Sequence, residues 1–133
     1  MIKRVKGSEK EQAREVIEKI VNAISEGNYG IIEGLVDNMN SWTTEFIHEI
    51  IESYKEDNEI VFDKYGTPCS FNPIYMDKSV YQQEKFYYWI NAEGFGYVYD
   101  FTSNGDLNDL SLLVDFHYKG NEMEVSLSDL HVL

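Results

Sequence analysis

The spacing of apolar residues changes partway along this chain, and that change limits its folds more than any other feature. Between Ser8 and Glu26, Ala13, Val16, Ile17, Ile20, Val21 and Ile24 recur every three to four residues, with Glu, Lys and Arg between them. From Phe86 onward apolar and polar residues alternate, the period of a half-buried strand. A stripe with one period cannot be buried by an element with the other. The chain is therefore expected to be α+β, with three N-terminal helices packed on one face of a curved antiparallel sheet of four to six strands.

Local signals divide the first half. Ser8 with Glu11 matches a capping box, and Gly27-Asn28 supplies a stop. Tyr29 to Val36 reads as a short second helix presenting Ile31, Ile32, Leu35 and Val36. After the polar break Asp37-Asn38-Met39-Asn40-Ser41, the residues Trp42, Phe46, Ile47, Ile50, Ile51 and Tyr54 mark one face of a third helix. Glu59 to Phe62 is a short strand candidate. Phe71 to Met76 is an edge-strand candidate, because Pro73 cannot donate to a ladder.

In the second half Phe86, Tyr88 and Ile90 share one strand face, and a turn at Glu93-Gly94-Phe95-Gly96 returns it as Tyr97, Tyr99 and Phe101. Asn104-Gly105 is a hairpin dipeptide, yet a two-residue turn there would set Phe101 against Asn108. A longer loop sets Phe101 against Leu110, matches apolar to apolar, and is the preferred register. Leu110, Leu112, Val114, Phe116 and Tyr118 continue the core face, and Lys119-Gly120-Asn121-Glu122 turns it back as Met123, Val125 and Leu127. At Ser128-Asp129 the apolar phase slips to Leu130 and Val132, which requires a bulge or bend.

Length and composition narrow the function classes. The 133 residues suit a single domain with one core. A lone cysteine, Cys69, excludes an internal disulfide and suits the cytoplasm. The polar run Ser8 to Gln12 interrupts what would have to be the apolar part of an export signal, and no apolar stretch approaches the ~20 residues needed to span a bilayer. No membrane role is expected. The net charge is −13, and residues 1–20 hold six of the eleven basic residues, so the body is the acidic part. Such a surface repels phosphate backbones, which argues against nucleic-acid binding, and steers basic proteins towards it.

The face opposite the core is the informative one. Tyr87, Trp89, Val98, Asp100, Leu113, Asp115, His117, Glu124 and Ser126 put aromatic and aliphatic side chains among carboxylates, where a solvated sheet face would carry more Lys and Thr. Tyr87, Trp89, Tyr97, Asp100, Leu113, Asp115, His117 and Glu124 are the candidate partner-binding residues. Tyr87, Trp89 and Tyr97 are the candidate aromatic anchors.

Catalytic motifs are sparse. His48-Glu49-Ile50-Ile51-Glu52 starts like a zinc-protease helix but has Glu52 where the second histidine belongs, leaving a His–Glu pair on a wet helix face. Asp115-Phe116-His117 and Asp129-Leu130-His131 each put a carboxylate and an imidazole on one side of a strand. The register sets His117 opposite Glu124 and His131 opposite Ser111, too far apart to share an ion. Asp115, His117 and Asp100 remain as candidate general bases. No phosphate loop, nucleophile elbow or Cys-x-x-Cys appears, and neither a cofactor nor a metal is expected.

The order of elements, helices and then a long meander bent near its end, resembles the cone-shaped nuclear-transport-factor-2-like fold. The run Phe101-Thr-Ser-Asn-Gly-Asp-Leu-Asn-Asp-Leu-Ser111, with the ending Leu127-Ser-Asp-Leu-His-Val-Leu133, resembles small acidic bacterial proteins of the immunity-protein type. That resemblance implies a binding protein that occludes a basic toxin, a nuclease for example, encoded beside it. The cone-shaped resemblance implies an alternative: an isomerase- or dehydratase-like enzyme, or a small-molecule binder. Asp100, Asp115 or His117 would then act as base in an enclosed pocket. A homodimer through the outer face is a third expectation.

Overall fold

A computed structural model of the chain describes residues 1–67 and 83–132. The expected edge strand at Phe71 to Met76 and Cys69 lie outside the described residues. A strand, β1 (Ile2–Lys3), opens the chain and is followed by α1 (Glu9–Glu26), a 3-10 turn (Tyr29–Ile31), α2 (Ile32–Leu35) and α3 (Thr44–Asn58). Four longer strands complete it: β2 (Glu84–Tyr88), β3 (Gly94–Ser103), β4 (Asp106–Lys119) and β5 (Glu122–Val132). The fold is α+β, and the sheet is antiparallel in the order β1-β5-β4-β3-β2.

The helical stripe of α1 is buried as its spacing requires, and Gly27 ends the helix at φ 73° with its N–H on the Ala23 and Ile24 carbonyls. The capping box does not form. Ser8 makes no side-chain cap bond. Glu9 accepts from Gly7 N (2.6 Å) and Arg4 Nε (3.1 Å), while Gln12 accepts from Val5 N and donates to Lys3 O. Glu9 and Gln12, rather than a Ser8–Glu11 pair, tie the segment before α1 to the start of the helix. In α3 the Thr43 side chain accepts from Phe46 N (3.0 Å), and Ile47 and Ile51 are buried.

The Glu59 to Phe62 strand is absent. Glu59 adopts a left-handed C-cap (φ 52°), Val61 is exposed, and Phe62 alone enters the core, edge-on to Phe101 at 5.3 Å. The β2–β3 turn comes earlier than its glycines suggest. It runs from Trp89, whose N–H donates to Gly94 O, with Ala92 at φ 61°. Phe95 therefore lies within β3, wholly buried and stacked on Phe116 at 5.1 Å. Ile90 falls in the turn and is fully exposed, and Tyr88 sits at the open rim of the core face, so neither extends the core as expected.

The β3–β4 hairpin reconciles two demands. The tight turn forms, with Asn104 (φ 53°) and Gly105 (φ 83°) between the paired Ser103 and Asp106. The body nevertheless keeps the apolar register, Asp100 facing Ser111 and Tyr99 facing Leu112. A bulge between these two registers absorbs the difference on β4, where Asn108 accepts from Leu110 N (2.9 Å) and donates to Ser103 Oγ (3.0 Å). The slip inferred near the C-terminus is also present: Leu113 faces Asp129 and Val114 faces Leu127, which leaves Ser128 as the extra residue. Helices and strands share one core. It contains Ile17, Ile20 and Ile24 of α1, Ile47 and Ile51 of α3, and Tyr97, Phe101, Leu112, Phe116 and Val125 of the sheet.

Candidate functional site

Alternation along the strands assembles the outer face of the sheet in rows. Tyr87, Gly96, Asp115 and Ser126 form one row across β2 to β5, and Lys85, Val98, Leu113 and Asp129 form the next. Asp100, Ser111 and His131 lie beyond it, and on the other side Gly94, His117 and Glu124. The Ser128 bulge places Asp129 and His131 on this face. Without it their parity would match Val125 and Leu127 and drive two ionisable groups into the core, which costs several kcal/mol per ion on the order-of-magnitude scale.

Two glycines shape the surface. A Cβ at Gly94 would lie 2.2 Å from Phe116 O and 2.9 Å from Trp89 Cζ3, so the bare backbone lets Trp89 fold across β3 onto His117, ring centroids 5.3 Å apart. Glu93 Oε2 stands 3.8 Å from His117 Nε2. A Cβ at Gly96 would lie 3.2 Å from Asp115 Oδ1, so the aspartate occupies the space that a side chain would fill. Tyr87 is 53 % exposed, and Trp89, Val98, Leu113, Asp115, His117 and Glu124 are half-buried.

The three candidate bases are held differently from one another. Asp115 Oδ2 accepts from Ser128 Oγ (2.5 Å), and Asp100, 7 % exposed, accepts from Ser111 Oγ (2.7 Å). His117 lies between Trp89 and Glu93. His131 Nδ1 is 3.1 Å from Asp129 Oδ2, at an angle that makes no hydrogen bond. Among the described residues, no three histidine, cysteine or carboxylate side chains converge in a way that could hold a metal ion.

Asp100, 7 % exposed, leaves the contact surface because of its burial, and Tyr97 must be removed as well, because it is wholly buried on the inner face. Its hydroxyl and that of Tyr65 donate to the same Glu84 oxygen, and Arg14 of α1 faces this group. Burial pushes the Tyr65 hydroxyl up to about 12, with the Glu84 bond adding to it, and burial pushes Tyr99 to about 12 as well. The Tyr97 hydroxyl moves in the same direction, from burial first and Glu84 second. Sequence reasoning missed this cluster. Its one signal is that Glu84 shares parity with Phe86, a carboxylate on the core-facing side of a strand.

Glu52 takes the Tyr29 hydroxyl (3.2 Å) and Lys55 (3.5 Å) as partners, while His48 packs on the Tyr29 ring, so the expected His48–Glu52 pair gives way to these contacts. A shallow cleft of ≈ 240 Å³ lies between the start of α1 and the sheet rim, lined by Gly7, Glu9, Lys10, Glu11, Tyr88 and Tyr118. Beside it Arg4 covers the Tyr118 ring at 3.7 Å, and Lys10 stands 4.9 Å from the Phe86 ring.

Residues 21–133 match a family described as a domain of unknown function, DUF7668. The chain belongs to that family. The DUF7668 region takes in α1 from Val21 onward, α2, α3 and strands β2 to β5, and therefore every outer-face residue named above. Only β1 and the first part of α1 lie before it. No curated protein and no solved structure matches the chain. No helix among the described residues is long and apolar enough to cross a membrane.

Proposed function

We propose that this DUF7668 protein is a binding protein without catalytic activity, whose outer sheet face engages a basic protein in the manner of an immunity protein that neutralises a toxin encoded beside it. The reading takes the fold as cone-like, with α1 to α3 against the inner face of the curved sheet. It places the protein in the cytoplasm, where such a toxin would be made. The observation that carries it is the composition of the outer face. The half-exposed Tyr87 and the Trp89–His117 pair stand among Glu93, Asp115, Glu124 and Asp129, with Lys85 as the one lysine in the rows described. Carboxylates around aromatic anchors suit a basic partner: charge speeds the encounter, and desolvated rings hold the complex.

The same geometry favours binding over the isomerase-like alternative. Asp100, Asp115 and His117 project from the outer face, away from the core cluster, and both aspartates use an oxygen to hold a serine hydroxyl. A general base needs its oxygen available within hydrogen-bond reach of a substrate proton.

The test is binding of the purified protein to the product of the adjacent gene, followed by titration calorimetry and stopped-flow kinetics. A nanomolar to micromolar complex is expected, with an association rate that falls steeply as salt rises. Tyr87→Ala is expected to weaken it by roughly tenfold or more, the scale of an interface anchor. Glu124→Lys is expected chiefly to slow association. Absence of binding, a salt-independent association rate, or a stable homodimer in light scattering that buries this face would overturn the proposal.

A further inference from the structure

Asn104-Gly105 is a chemically vulnerable pair as well as a turn. The backbone nitrogen after an asparagine can attack the side-chain amide carbon. One C–N bond forms, the bond to the amide nitrogen breaks, ammonia leaves, and water opens the resulting succinimide to aspartate or isoaspartate. Glycine in the following position is the most permissive residue for this step, because no Cβ hinders the approach. The reaction needs the Gly105 nitrogen to shed its proton and swing towards Asn104 Cγ.

We propose that Asn104-Gly105 is a latent deamidation site that the Asp63 carboxylate holds shut. Asp63 Oδ2 accepts from Gly105 N (2.8 Å) and Thr102 Oγ1 (2.8 Å), and Oδ1 accepts from Asn104 N (2.9 Å). The carboxylate is itself anchored, since Asp63 N donates to Thr102 O (3.0 Å). A full negative charge on the Gly105 N–H disfavours loss of its proton, and the paired Asn104 and Gly105 bonds fix the peptide plane that would have to rotate. Asn104 is exposed, so exclusion of water does not protect it; the clamp does. Once the reaction occurs, a new negative charge enters the turn that Asp63 holds, and isoaspartate adds a methylene to the backbone of a two-residue turn, so the clamp cannot close again as before.

The experiment incubates the full chain in mildly alkaline buffer, folded and in urea, and follows the Asn104 peptide by mass spectrometry. Folded protein is expected to deamidate at least about tenfold more slowly than unfolded chain, because the reactive turn must first open. Folded Asp63→Ala is expected to lose most of that protection. Ile20→Val, which weakens the core far from the turn, is expected to keep it. Equal rates for folded and unfolded wild type, or a folded Asp63→Ala with wild-type protection, would overturn the proposal. Should Asp63→Ala fail to fold, the Gly105 amide resonance of the wild type decides. It is expected to shift as Asp63 protonates in acid, and an amide indifferent to that titration sinks the proposal.

Discussion

Replacing Asp63 by alanine removes the group that joins the end of the helical half to the β3–β4 hairpin, and the structure sets the scale of the loss. Hydrogen bonds to a charged acceptor contribute about 1.5–3 kcal/mol each, less where water can replace them. Asn104 is exposed and regains a water partner, whereas the Gly105 and Thr102 bonds are partly buried. Discounting accordingly, Asp63→Ala is expected to cost roughly 2–3 kcal/mol, or about 10 °C in melting temperature for a domain of this size. The effect has a pH signature. Partial burial raises the Asp63 pKa, but the bonds from Gly105, Thr102 and Asn104 outweigh it and leave the carboxyl below its ordinary range. A depressed carboxylate contributes stability that is fully present above the unfolded value of about 3.9 and is lost as pH falls through the folded one. Urea unfolding should therefore show a lower midpoint with unchanged slope at neutral pH, and a gap that narrows below about pH 4. A midpoint equal to wild type at neutral pH, or a gap of the same size in strong acid, would refute the reasoning.

Gly94→Ala drives a Cβ into Phe116 O and Trp89, and is expected to cost about 3 kcal/mol or more and to change Trp89 fluorescence. Tyr97→Phe should lose about 1–2 kcal/mol through its bond to Glu84, whereas Tyr87→Phe, on the exposed face, should stay within about 0.5 kcal/mol; equal effects in urea unfolding would contradict the burial pattern. In alkali, the phenols of Tyr65 and Tyr99 have folded pKa values raised to about 12 by burial. The stability they contribute is complete below the unfolded value near 10 and is lost as pH rises through 12, which a spectrophotometric tyrosine titration run alongside circular dichroism would detect. Deleting Ser128 should remove the bulge yet leave Asp129 and His131 outward and Leu130 inward, so a cooperative unfolding transition should persist, and its loss would contradict the assigned register.

Much of the fold was legible because period and phase are local. The α1 stripe, the α3 face, the Ser128 slip and the pairing of His117 with Glu124 all follow from counting along the chain. The hairpin is half legible: the apolar match identifies the register of its body, but taken alone it argues against the tight turn that Asn104-Gly105 forms. Both hold, because a bulge at Asn108 separates them, and a bulge leaves little trace when the residues in it are polar. The β2–β3 turn lies earlier than Gly94 and Gly96, as turn-forming residues, suggest. Their lack of a Cβ serves instead to admit Trp89 and Asp115.

The sequence by itself determined the class of the fold, the helical stripe of α1, the core face of β3 to β5 and the mixture of aromatics and carboxylates on the opposite face. These depend on which side of an element a residue falls, and that is a matter of parity or of 3.6-residue spacing. Only the tertiary structure decided what each polar group does. Tyr97 and Tyr87 have the same side chain in adjacent strands, yet one is buried against Glu84 and the other stands open to solvent. Strand β1, with two residues, has no period to read and exists because Ile2 meets Met123 across the sheet edge. The hold of Asp63 on a turn 41 residues away is likewise a contact between distant segments. Such contacts depend on where separate elements meet in space, which a local pattern does not encode.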